Sequence, residues 1–152
     1  MGRKPNSEVT AEAQTKQAPP AQPKAVAVVV LPKFAISSKS GYLIGETGMV
    51  PSEENAKTIV TPAIGEDLGG KKILVGIQAD KPFGKMQIGV QLSFDGAQYS
   101  KPVVTEAVNI ESQALHVVSL DMQDYKGPFY RIIMKAENDI PQGQLVQIKF
   151  CV

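Results

Sequence analysis

Residues 86–96 read Met-Gln-Ile-Gly-Val-Gln-Leu-Ser-Phe-Asp-Gly. Met86, Ile88, Val90, Leu92 and Phe94 alternate with Gln87, Gly89, Gln91 and Ser93. Successive strand side chains point to opposite faces, so this period of two predicts a strand with one buried face, Phe94 included. Asp95-Gly96 follows. Glycine takes a positive φ without steric cost and aspartate nearly so, which predicts a hairpin turn there.

Working outward, Lys72 to Ala79 (KILVGIQA) is a strand and Asp80 to Gly84 (DKPFG) has turn chemistry. After the Asp-Gly turn, strands are predicted at Gln98 to Thr105, Leu115 to Leu120, Phe129 to Ala136 and Gln144 to Phe150, with a loop at Glu137 to Gly143. Upstream, Ala25 to Leu31 (AVAVVVL) is a β-branched run of strand length that Phe34 to Ile36 would extend past Pro32. Gly41 to Gly45 and Thr58 to Thr61 are short strands. Ser52 to Lys57 is the one helix start, of one or two turns, with Ser52 as cap and acids in its first turn. About eight short strands with frequent turns and no long helical period predict an all-β antiparallel β-sandwich or jelly roll.

The chain divides near residue 24. Residues 1–24 hold four of the eleven prolines and no aromatic residue, and they carry four cations against Glu8 and Glu12. Such a segment buries too little to offset its ordering entropy. It reads as a flexible or partner-ordered N-terminal arm, and residues 25–152 as the β-sandwich domain. Gly2 follows Met1, but Asn6 stands where myristoylation wants Ser or Thr, and no apolar stretch suits a secretory signal. The longest apolar run falls far short of a membrane helix. A soluble protein made in a cytoplasm is expected.

Composition excludes several chemistries. With 16 Lys and Arg against 15 Asp and Glu, the chain is no general nucleic-acid binder. One Cys and one His preclude an internal disulfide, a four-cysteine zinc site and multi-histidine chemistry. His116 is the only candidate general base, and in LHVVSL it reads as a surface or half-buried strand residue beside Val118 and Leu120. Cys151 has no motif around it. Asp95, Asp121, Asp124, Glu137 and Asp139 match no calcium loop and read as turn-makers. The glycines of GYLIGETG and of Gly69-Gly70-Lys71-Lys72 lack a phosphate loop's context and read as turns. No enzyme, cofactor or metal is expected. Tyr42, Tyr99, Tyr125 and Tyr130 are possible sugar platforms, while Phe34, Phe94 and Phe150 read as internal.

Ser93-Phe94-Asp95-Gly96 with Tyr99, then Ser119-Leu120-Asp121 and Tyr125-Lys126-Gly127-Pro128-Phe129-Tyr130-Arg131, form a pattern. It resembles small β-sandwich virion proteins of tailed bacteriophages, of the capsid decoration, head-fibre and neck or tail accessory types. In these a strand ends in S-x-DG and a later loop leads into a Tyr-Arg strand, with the aromatic inside and the cation outside. The resemblance covers residues 72–150. Discoidin-like sugar-binding sandwiches also use S-x-DG, normally with Trp where Tyr99 stands. The virion resemblance implies a structural or accessory protein, made in the host cytoplasm, that binds capsid or tail proteins of the same particle and forms a homo-oligomer. No nucleic acid or membrane partner is expected, from the near-zero charge and the short apolar runs. Arg3, Lys4, Pro19, Pro20 and Lys24 are the expected arm contacts. Val26, Val28 and Val30 are expected on an intersubunit strand, and Tyr99, Tyr125 and Lys126 on exposed loops. The alternative expectation is a carbohydrate- or receptor-binding β-sandwich module.

Overall fold

A computed structural model describes residues 28–52 and 56–152. They form two five-stranded sheets and no helix. The strands are β1 (Val28–Val30), β2 (Ala35–Lys39), β3 (Tyr42–Met49), β4 (Thr58–Val60), β5 (Lys72–Ala79), β6 (Gly84–Ser93), β7 (Val104–Ile110), β8 (His116–Asp121), β9 (Phe129–Ala136) and β10 (Val146–Cys151). Sheet A has the order β1-β4-β9-β6-β7 and sheet B the order β2-β3-β10-β5-β8.

Alternation produces the sandwich. In β10, Val146, Ile148 and Phe150 are buried while the residues between them are half exposed. In β9 the inward set is Tyr130, Ile132, Met134 and Ala136. The inward rows of both sheets merge into one apolar core that includes Val29, Ile59, Ile73, Val75, Ile88 and Leu120. Burial of such rows is the main stabilising term, at about 25 cal/mol per Å² of apolar surface.

Several expectations are corrected. There are ten strands among the described residues, one more than the nine segments predicted, because β1 and β2 are separate. Leu31 still donates to the carbonyl of Val60, at 2.9 Å, but Pro32 has no amide to continue the ladder. The chain leaves for sheet B, makes a hairpin there, and returns as β4. That round trip makes β1–β4 parallel, the one such pair among the described strands. The short strand expected at Gly41 to Gly45 runs on to Met49. The strand expected at Gln98 to Thr105 begins only at Val104, since the preceding residues form a wide loop. Residues 53–55 of the expected helix lie outside the described residues; Ser52, Ala56 and Lys57 are not helical. Ala56 and Lys57 accept instead from the amides of Ile140 and Ala136, both at 2.7 Å.

Phe94 is the clearest departure. Expected inside, it is 91% exposed. Strand β6 stops one residue earlier, at Ser93. The Ser93 hydroxyl accepts from the amides of Asp95 (3.3 Å) and Gly96 (2.8 Å), and Gly96 has φ 78°. The turn therefore begins before Phe94 and rotates its ring out of the inward row.

Candidate functional site

Three connections meet at one end of the sandwich: residues 61–71, 94–103 and 122–128. Register places them together, because Ser93 at the end of β6 pairs with Phe129 at the start of β9, and Lys72 pairs with Asp121. Between the second and third lies a hollow of about 280 Å³, walled by Leu92, Phe94, Gln98, Ser100, Lys126 and Gly127.

Each loop is fixed by buried or charged hydrogen-bonding groups. In residues 94–103, Asp95 Oδ1 accepts from the amides of Ala97 and Gln98, both at 2.9 Å, and from the Ser93 hydroxyl at 3.0 Å. The Gln98 and Ala97 amides, with Ser93 behind them, stabilise the carboxylate and hold its pKa below the ordinary value. Tyr99 donates to the Gly96 carbonyl at 3.2 Å. In residues 122–128, the Gly127 amide donates to the hydroxyl of fully buried Tyr130 at 3.0 Å. Gly70 donates to the carbonyls of Met122 (2.8 Å) and Tyr125 (3.1 Å), which ties residues 61–71 to the same end. Lys126 lies 3.7 Å from Asp67 on exposed surface, an ion pair of little energetic weight.

The site residues expected from sequence scatter. Lys126 lines the hollow. Tyr125 is on the same loop and partly exposed, at 37%, but does not line it. Tyr99, expected on an exposed loop, is only half exposed, because Arg131 sits 3.9 Å from its ring centroid. That guanidinium also donates through Nε to Gln91 Oε1 at 2.8 Å, and Gln91 donates to the Ser100 carbonyl at 2.9 Å. Tyr99 thus pins its loop onto the outer face of sheet A. Val28 and Val30 point outward from the edge strand β1, which pairs with β4 of its own chain. Arg3, Lys4, Pro19, Pro20, Lys24 and Val26 lie outside the described residues.

Phe94, Gln98 and Ser100 were missed. The alternation of β6 draws Phe94 into the core row, and only the Ser-x-Asp-Gly turn signals the opposite. His116 is half-buried as expected; its Nε2 accepts from the Glu111 amide at 3.4 Å, and no nucleophile bonds to it. No cluster of three or more potential metal ligands occurs among the described residues. No described helix is long and apolar enough to cross a membrane.

The fold and site define a two-sheet β-sandwich with a fixed loop-end hollow. No protein-family model matches the chain, and no curated protein matches its sequence. Among solved structures, a family 4 carbohydrate-binding module is similar over 76% of this chain and 73% of its own, at 12% identity and TM-score 0.37. A family 29 module complexed with cellulohexaose is similar over 80% and 75%, at 18% identity and TM-score 0.36. A carbohydrate-binding module of the β-sandwich superfamily covers 70% and 40%, at 9% identity and TM-score 0.40. At that distance these likenesses decide nothing about the ligand of this chain.

Proposed function

We propose that this chain is a non-catalytic carbohydrate-binding module whose ligand seats in the loop-end hollow. Phe94 carries the reading: an almost fully exposed aromatic ring stands on the rim of a hollow whose other walls offer the Gln98 amide and the Lys126 ammonium. A sugar ring has apolar C–H faces and hydroxyl edges, and suits that mixture of one aromatic face and a few convergent polar groups. The volume lies just below the usual ligand-pocket range of about 300–1,000 Å³, which favours a short saccharide. Glycoside hydrolysis generally needs two facing carboxyl groups, and no Asp or Glu lines the hollow. The Asp95 carboxylate nearby is engaged by its own turn. Glycan-array binding by the whole chain, lost in Phe94→Ala and weakened in Gln98→Ala, is the expected result. An array on which the native chain binds nothing would sink the reading.

A second reading, assembly within a virus particle, draws on one observation. Val28 and Val30 stand 52% and 60% exposed on an edge strand of sheet A. Apolar edges of that kind invite another chain. Sedimentation of the chain with virus-sized particles, abolished by Val28→Lys together with Val30→Lys, would favour it. A chain that stays in the light fractions argues against it.

A further inference from the structure

The outer face of sheet A sinks into a second, larger concavity of about 530 Å³, at the opposite end of β6 from Phe94. Register lays out its surface. Lys85 pairs with Asn109, and in the next outward row Gln87 pairs with both Ala107 and Lys135. One row further stands Gly89, where Pro102 and Thr105 occupy the space a side chain would need. The returning loop thus lies on the sheet at Gly89 and leaves the rows beyond it recessed. Glu137 closes the far end, its amide bonded to the Lys85 carbonyl at 3.0 Å.

The chemistry of the groove is specific in two ways. Its floor is a sheet face whose β6 and β9 backbone groups are used up in the ladders, while β7, the edge strand of sheet A, has no strand partner on its outer side among the described residues. Its polar side chains are two cations, two amides and one carboxylate, all exposed, with Ala107 and Val108 beside them. Neither Lys85 nor Lys135 is in an ion pair among the described residues. They are diagonal neighbours, on strands where such positions lie about 7–8 Å apart.

We infer that this groove binds an acidic oligosaccharide, a chain of carboxylated sugars. Lys85 and Lys135 receive carboxylates, Gln87 and Asn109 exchange hydrogen bonds with hydroxyls, and Glu137 accepts from a hydroxyl. A single-stranded nucleic acid would want aromatic platforms, which the lining lacks. An extended peptide would pair along the outer edge of β7 rather than lie across this sheet face. The inference stands apart from the Phe94 hollow and does not need it.

The test is affinity electrophoresis of the full chain through gels holding polygalacturonate, neutral dextran, polyglutamate or oligothymidylate. Retardation by polygalacturonate alone is expected, retained in Phe94→Ala and Lys135→Arg. Lys85→Ala with Lys135→Ala should weaken it about tenfold or more, and Gln87→Ala by less, as loss of charged and neutral hydrogen bonds predicts. All four positions are exposed, so unchanged thermal midpoints are expected throughout. No retardation by polygalacturonate overturns the inference. Equal retardation by polyglutamate or oligothymidylate also overturns it, leaving a mere cation patch. So does a double lysine variant that migrates like the native chain.

Discussion

The ring of Phe150 lies over the α-carbon of Gly45, its partner on the neighbouring strand, in the space that any side chain at position 45 would occupy. The ring is buried, and meets Phe34 edge-on with centroids 5.0 Å apart and planes at 76°. A glycine weakens a strand interior unless something packs on it, and here an aromatic does. Gly45→Ala is expected to push the ring off its seat and destabilise the fold by about 1–3 kcal/mol, the usual cost of overpacking. Urea unfolding of Gly45→Ala, Phe150→Leu and the double variant checks this. The double variant should be more stable than the sum of the single losses implies, because the smaller side chain relieves the clash.

Tyr130 joins the core to the loop end. Its hydroxyl is buried and accepts from the Gly127 amide at 3.0 Å. Tyr130→Phe keeps the packing and leaves that amide without its partner, at a cost of about 1 kcal/mol. Lys126 precedes the loosened residue, so saccharide affinity at the Phe94 hollow should fall as well. Calorimetric titration beside thermal unfolding measures both effects.

Arg131 is held by a ring face and an amide at once. Lys carries the charge but not the flat fork, so Arg131→Lys should cost about 1 kcal/mol. The loop that Tyr99 anchors should then open more often. Faster chymotryptic cleavage after Tyr99 under native conditions is the expected readout, with cleavage elsewhere unchanged.

The Asp95 carboxylate has a folded pKa below its ordinary value of 3.8, from the Gln98 and Ala97 amides first and the Ser93 hydroxyl next. A lowered folded pKa means that the contribution is fully present above the ordinary value and is lost as pH falls through the folded one. Carboxyl NMR should show Asp95 titrating below the ordinary aspartate value of 3.8. Asp95→Asn should narrow the stability difference between neutral and acid solution, and an unchanged acid profile would refute the assignment.

Much of the fold is legible in the sequence. Lys72–Ala79 and Phe129–Ala136 form strands with the bounds that alternation and β-branching predict. The outward Arg131 also follows from period two, but Tyr130, one of the possible sugar platforms by sequence, is fully buried and cannot serve as one. Phe94 does not follow that period, because one turn-forming serine decides its direction against five residues of regular pattern. Sheet partners are equally hidden: nothing local says that β1 lies parallel to β4, which depends on the trip through sheet B. The polar groove escapes for a related reason. Lys85, Gln87, Asn109 and Lys135 come from three strands, and only their register makes them neighbours.

Strand β10, the last in sequence, lies between β3 and β5 and bonds to both. During translation, β3 and β5 therefore wait with their inner edges unsatisfied until residue 151 clears the ribosome. Sheet B cannot assemble progressively from its amino-terminal side, and nascent chains halted before residue 146 should remain open to proteases and to pairing with foreign strands.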